Sequence, residues 1–266
     1  MAVIVMASVA GAPGVTTSAV ALTFAWHRPT LLVEADISKT SAVLPGYLRG
    51  QYDHSRGMTH LAVAQRNNQL NAAEIMSQRI DMAEGKSVIL GFNNIVAGQG
   101  TTALWGELGT TLSTMDGAGM DVIVDLGRLA ANDVRTPLLQ MADSVLLVMR
   151  PVLPDIAAAA AQVPALQETL TLAGHRDHLE VLLVEAPFET WSRSEIAKVL
   201  NVNVATEIKH DPRGAAVYFA GMTKPNKFER SGYQRSIVSA QATITQRMAQ
   251  RDEELGLRPQ VKEATA

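Results

Sequence analysis

Two threonines behind a glycine turn, Gly11-Ala12-Pro13-Gly14-Val15-Thr16-Thr17, and two aspartates that close apolar runs, Asp36 and Asp125, have the types and spacing for chemistry. The turn follows the apolar run Val3-Ile4-Val5-Met6 and opens into a helical pattern at Val20, Ala21 and Phe24. In such a strand–turn–helix, backbone N–H groups converge at a helix N-terminus of partial positive charge, which suits a phosphate. Glycine allows the close approach, a lysine neutralises the β/γ charge, and a Ser or Thr hydroxyl holds Mg²⁺. Gly11 and Gly14 keep the backbone part, and Thr16 stands where the Mg²⁺-binding hydroxyl belongs. The lysine position is Val15 and the first glycine position is Val9, so a strict G-x-x-x-x-G-K-S/T pattern fails twice. The same turn, with Pro13 and Gly14, also suits a purely structural reversal.

The run Leu31-Leu32-Val33-Glu34-Ala35-Asp36 ends in two carboxylates. Residues i and i+2 of a strand share a face, which points Glu34 and Asp36 at one site. The alternative is that Asp36 or Ser38 caps a short following helix. A second run, Asp121-Val122-Ile123-Val124-Asp125-Leu126-Gly127, has the same layout. There Asp125 is placed to hold Mg²⁺ directly or through water, and Gly127 lets the backbone approach a γ-phosphate. Each run alone is an ordinary strand end; all three pieces in this order are much less common.

The elements that must position these residues follow from periodicity. Apolar runs of strand length recur at 3–6, 31–33, 88–90, 122–126, 145–149, 181–184 and 202–205. Helical patterns lie between them at 15–26, 102–115, 155–173, 193–200 and 233–254. Continuous apolar strands alternating with helices predict an α/β fold of three layers, a mostly parallel sheet with helices on both faces, joined by right-handed crossovers. Nothing between residues 1 and 250 reads as a linker, so 1–254 is expected as one domain and 255–266 as a frayed tail. The Gly46–Gly57 region reads as a surface loop after the second strand and its short helix. Loops at the carboxyl ends of parallel strands host ligands, although an ordinary exposed loop fits as well.

Composition narrows the class. With 47% hydrophobic residues in 266, the chain can bury a large core and is not disordered. A net charge of −3 gives no global attraction to nucleic acid or anionic lipid. The absence of cysteine excludes disulfides, thiol nucleophiles and Cys-zinc sites and fits a cytoplasmic location. The amino-terminal run lacks a positive flank and reads as a first strand rather than a signal peptide. No run reaches the roughly 18–20 apolar residues of a membrane span. The six histidines form no metal-ligand spacing.

Taken together, the three pieces resemble the ParA/MinD family of deviant Walker A ATPases, whose fold is that of the P-loop NTPases. The family loop reads K-G-G-x-G-K-S/T-S/T, against Ala10-Gly11-Ala12-Pro13-Gly14-Val15-Thr16-Thr17 here. Its second strand ends D-x-D, matched by Glu34-Ala35-Asp36, and its Walker B strand reads like Asp121 to Asp125. Ala142 to Val148 resembles a later family strand, and Ile208-Lys209-His210-Asp211-Pro212-Arg213 a segment near the adenine. The resemblance spans roughly residues 1–250. It implies that Gly11, Ala12, Pro13, Gly14, Val15, Thr16 and Thr17 bind nucleotide together with Asp211 and Pro212. It implies that Thr16, Asp36 and Asp125 hold Mg²⁺, that Asp36 orients the attacking water, and that ATP drives a homodimer. Both family lysines are absent, replaced by Ala10 and Val15, and Glu185-Ala186-Pro187 stands near the usual asparagine. The lysine-less loop resembles those of actinobacterial MinD-like proteins and of the TadZ/CpaE-like branch. Phosphoryl transfer rests on positioning and electrostatics, and one preorganised donor is worth ~2.7–4 kcal/mol. The resemblance therefore implies weak or absent hydrolysis by a protein that positions or partitions a partner, either DNA or a membrane or secretion complex. The alternatives are a pseudo-ATPase scaffold without nucleotide and an ATPase that recruits Arg128 or Arg150 as its cation.

Segment 207–251 carries eight basic and three acidic residues, which suits either nonspecific, salt-sensitive DNA binding or a solvated charged face. The last helix has a thin apolar stripe (Ile244, Met248) and no strongly cationic face, so direct membrane binding is not expected.

Overall fold

A computed structural model of the chain describes residues 1–11, 13–115, 119–188 and 190–256. Ala12 of the glycine turn and most of the expected tail, from 257 onward, lie outside the described residues.

Seven of the apolar runs become strands, because each is long enough to cross a sheet and apolar on both faces. They are β1 (Val3–Ser8), β2 (Thr30–Glu34), β4 (Lys86–Ile89), β5 (Asp121–Arg128), β6 (Ser144–Met149), β7 (Leu179–Val184) and β8 (Val204–Ile208). A further strand, β3 (Ile80–Ala83), joins them in one eight-stranded sheet of order β3-β4-β2-β5-β1-β6-β7-β8. All pairs are parallel except β3–β4, which is antiparallel. This is the three-layer, mostly parallel α/β architecture expected from the sequence. The β3 edge has no apolar run to announce it, since Asp81 and Ala83 are exposed.

Alternate residues of each strand feed separate cores. Ile4, Met6, Leu32 and Ile123 pack under α1 (Val15–Ala25), α9 (Pro212–Phe219) and α10 (Gly232–Glu254). Val3, Val5, Leu31, Val33, Val122 and Val124 pack under helices on the other face. Those are chiefly α2 (Met58–Arg66), α3 (Ala72–Ser77), α5 (Leu104–Ser113), α6 (Thr136–Gln140), α7 (Leu153–Leu172) and α8 (Arg193–Leu200). The short α4 (Ile95–Gln99) lies between β4 and α5. The thin stripe of α10 (Tyr233, Ile237, Ala240, Ile244, Met248) is buried at helical spacing in the α1-side core.

No helix follows β2, contrary to expectation. Residues 35–57 run as turns and bends, shaped by Glu34. Its buried carboxylate accepts from Ser41 Oγ (2.5 Å), Ala42 N (2.8 Å), Val43 N (3.0 Å) and Gly91 N (3.1 Å). Four donors on one carboxylate satisfy its charge without a counterion and fix the loop against the end of β4. Gly46 meets the carbonyls of Phe219 and Ala42 where any Cβ would sit, which docks this loop onto the end of α9.

The carboxyl ends of β2 and β5 are tied by a buried arginine. Arg135, 1% exposed, donates to the carbonyls of Ala35 (2.9 Å), Leu126 and Arg128 (2.9 Å). It also pairs with Asp133 through Nε (2.8 Å) and a terminal nitrogen (2.6 Å). Removing one partner of a buried pair leaves an uncompensated charge. Arg135→Met is therefore expected to lower unfolding free energy by about 3–5 kcal/mol in urea denaturation. Arg135→Met combined with Asp133→Asn should recover part of the loss; no recovery would mean that the carbonyl contacts dominate.

Candidate functional site

Helix α1 begins at the carboxyl end of β1, where the chain reverses through Gly14 in a left-handed conformation (φ 98°, ψ 31°). Gly14 is the helix N-cap and no side chain caps it; the first turn contains no acidic residue either. The leading N–H groups of α1 therefore lack a side-chain acceptor, and such groups together with the helix dipole favour an anion. They open on a cleft of about 790 Å³, within the roughly 300–1,000 Å³ of small-molecule sites. Gly11, Gly14, Thr16, Asp36, Lys39 and Gly127 line its polar end, and Tyr47, Tyr218 and Phe219 its apolar end.

The predicted residues divide. Gly11, Pro13, Gly14, Val15, Thr16, Thr17 and Asp36 all line the cleft. Val15, at the lysine position, is buried in the core with Ile4 and Met6. Asp125 is 1% exposed beneath the cleft, level with Met6 of β1 and Glu34 of β2. Asp211 and Pro212 are not brought to the cleft. Asp211 caps α9, accepting from Arg213 N and Gly214 N (3.0 Å each), and it is the opposite end of α9 that reaches the cleft. Arg128 lines the cleft and is exposed. Arg150 lies near Gly11, with a terminal nitrogen 3.6 Å from where a Cβ would stand. Its guanidinium is held by Asp155 at 2.9 and 3.0 Å.

One functional candidate was not found from sequence. Lys39 Nζ donates to Thr16 Oγ1 (3.1 Å) and pairs with Asp36 Oδ2 (3.2 Å). Asp36 Oδ1 accepts from Ser38 N (2.8 Å) and Ser38 Oγ (2.6 Å), a turn that folds the chain back over the carboxylate. Asp36 is thus a turn former rather than a helix cap, and both of its oxygens are engaged. The signal in the sequence is a lysine three residues after a strand-end aspartate, a spacing that pairs locally in a turn as well as in a helix. Gly127 (φ 59°) packs so closely on Asp36 that a Cβ would overlap its carboxylate, so glycine is required for steric as well as conformational reasons.

The electrostatics follow from burial. Desolvation opposes the Lys39 ammonium, but the charges of Asp125 and Asp36, the hydrogen bond to Asp36 and the charge of Glu34 outweigh it and raise its pKa. Burial pushes Asp125 up to about 6, against the Thr16 hydroxyl and Lys39, while Glu34 adds to the rise and the Gly127 N–H opposes it. Asp125 Oδ1 accepts from Gly127 N (2.8 Å), and Oδ2 has no partner of hydrogen-bond geometry. An orphaned buried carboxylate oxygen beside a hydroxyl and a second carboxylate is a donor set for a hard cation such as Mg²⁺, which keeps several waters. The Lys39 ammonium already bonds two of those three groups. No cluster of three His, Asp or Glu side chains suits a metal among the described residues.

Elsewhere the charges of 207–251 are partly neutralised within the fold. Lys209 pairs with Glu185 (2.8 Å), Lys224 with Glu229 (2.6 Å), and Arg247 and Arg251 with buried Glu180 (2.6 and 3.2 Å). No helix among the described residues is long and apolar enough to cross a membrane.

No family model matches the chain, and no curated protein sequence does. Solved structures match over nearly its whole length. A ParA family ATPase from Chlorobium tepidum shares 16% identity over 91% of this chain and 97% of its own, with a TM-score of 0.66. The apo form of McdA from Cyanothece shares 16% over 92% and 99%, with a TM-score of 0.69. The septum site-determining protein MinD from Pyrococcus horikoshii, complexed with Mg-ADP, shares 14% over 98% and 99%, with a TM-score of 0.67. The chain therefore has the fold of the ParA/MinD-type P-loop ATPases. At these identities the likeness establishes the fold, and what the site does rests on this chain's own residues.

A raised carboxylate pKa implies a sign for stability. Folding takes up a proton at Asp125 between the ordinary 3.8 and about 6. The associated stability is present below the lower value and is lost as pH rises through the upper one. Asp125→Asn should raise Tm by roughly 3–8 °C near neutral pH and by much less below about pH 4. Calorimetric melts across that range check this; equal gains at both ends would contradict it.

Proposed function

We propose that residues 1–254 act as one nucleotide-binding unit that binds ATP at the α1 turn, dimerises, and positions a partner complex with weak or no hydrolysis. The observation that carries this reading is the uncapped N-terminus of α1 opening on a cleft with Thr16, Asp36 and Lys39 at its polar end. Phosphates would accept from the backbone N–H groups of the turn and first helical residues. The aromatic end, Tyr47, Tyr218 and Phe219, suits a planar base by stacking. Thr16, Asp36 and Asp125 are the groups that would hold Mg²⁺, and doing so requires Lys39 to move aside.

Weak hydrolysis is supported by charge and by geometry. The loop offers no lysine, since Val15 is buried in the core and residue 10 is alanine. Asp36 Oδ1 already takes two donors from Ser38 and Oδ2 is paired with Lys39, so a water must compete with the ammonium for the remaining acceptor site on Oδ2. The likeness to a MinD bound to Mg-ADP supports the choice of an adenine nucleotide. A second reading, a scaffold that binds no nucleotide, is favoured by the same internal pairing, because a self-neutralised site is stable without ligand. Pairing of half the basic residues of 207–251 weakens the case for DNA as the partner.

Isothermal titration with ATP and a non-hydrolysable analogue is expected to give micromolar binding, lost in Gly14→Asp, which puts a strained acidic residue at the left-handed position. Light scattering should show ligand-dependent dimers. Absence of heat and of any thermal shift at millimolar ATP would leave the scaffold reading.

A further inference from the structure

The ammonium of Lys39 sits where oxygens from separate elements converge. Thr16 Oγ1 comes from the first turn of α1 and lies 3.1 Å away. Asp36 Oδ2 follows β2 and lies 3.2 Å away. Asp125, from the central strand β5, is 1% exposed and leaves Oδ2 without a hydrogen-bond partner. A hydroxyl and two carboxylates are hard donors of the kind a divalent cation takes. The lysine is a compact positive charge that bonds Thr16 and Asp36 directly and acts on Asp125 through its charge alone.

We propose that Lys39 is a tethered cation that fills the divalent-metal position of this site, so that the chain excludes Mg²⁺ and binds ATP without it. The ATP half of this inference rests on the nucleotide reading above; the metal half stands by itself. The geometry supports it in three ways. The Asp36–Ser38 turn aims the chain back at its own strand end, so Lys39 meets the cluster at the high effective concentration of an intramolecular partner. A divalent ion would have to displace that ammonium or bind against its charge. Lys39 also lines the cleft, which places its charge beside the loop that carries Val15 in place of lysine.

The test uses the full chain, Lys39→Met and Lys39→Arg, with circular dichroism as a check that each is folded; Lys39→Gln replaces Lys39→Met should that variant not fold. Mn²⁺ serves as the metal probe, its free fraction read by electron paramagnetic resonance without nucleotide. Wild type and Lys39→Arg should leave Mn²⁺ free at millimolar concentration. Lys39→Met should bind one ion at least about tenfold more tightly, and Lys39→Met combined with Asp125→Asn should lose it. Equal Mn²⁺ affinity in wild type and Lys39→Met, or none in either, overturns the proposal. Calorimetry with ATP, in EDTA and then in excess Mg²⁺, is the second arm. Wild-type affinity should change by less than about threefold, while Lys39→Met should gain about tenfold or more from Mg²⁺. A wild type that binds ATP only with Mg²⁺ overturns it. No ATP binding under either condition defeats the nucleotide reading, and the Mn²⁺ arm then decides the place of Lys39 alone.

Discussion

Three carboxylates gathered under one helix N-terminus must each be compensated in a low-dielectric setting, and much of the local structure answers that demand. Glu34, Asp36 and Asp125 lie toward the carboxyl edge of adjacent parallel strands, at the end of or just beyond β2 and level with it within β5. Ionised groups there are costly unless paired or hydrogen-bonded. Glu34 takes four donors and in doing so shapes residues 41–43. Asp36 takes the Ser38 turn and Lys39. Asp125 receives the Gly127 N–H and the field of Lys39 and keeps one oxygen bare. Gly127, which touches Asp36 with no room for a Cβ, and Arg135, which holds the carbonyls at the ends of β2 and β5, keep these groups in register.

That compensation is incomplete at Asp125, and incompleteness of this kind is what a ligand can use. Perturbed, buried, partly unpaired groups cluster at functional sites because the fold spends stability to hold them. The raised pKa of Asp125 and the uncapped start of α1 are two such costs, and they lie at the same cleft. A purely structural strand-to-helix reversal would need neither.

The described turn of this chain carries no lysine, and the positive charge beside it comes from a different segment. Where the resemblance expects lysines in the turn, Val15 joins the hydrophobic core and Lys39 arrives from the loop after β2. Lys39 is bonded to the Thr16 hydroxyl and the Asp36 carboxylate, so its charge is already partly neutralised within the fold. The loop that brings it is itself docked through Gly46 to the end of α9, and Tyr218 and Phe219 there form the apolar wall of the cleft. Asp36, Lys39 and Tyr47 of the cleft lining thus belong to one segment, residues 36–47.

The sequence by itself determined the sheet and its principal helices. Runs such as Val122–Val124 and Val145–Val148 are apolar at every position and fit only strands buried on both faces, and α7 and α8 follow their periodicity closely. It also located the glycine turn, Thr16, Asp36 and Asp125, because strand ends in a parallel sheet converge. Tertiary structure alone decided the rest. Edge strand β3 exists because β4 offers an unpaired side, not because Ile80–Ala83 is apolar. The polar helix α10 holds its place through a narrow buried stripe. Glu34 became a loop anchor, Asp211 a helix cap away from the cleft, and Lys39 a partner of Asp36 and Thr16 at the cleft. Each of these depends on which groups meet across distant segments, and a buried charge takes whatever partner the fold brings within reach; local pattern does not encode that partner.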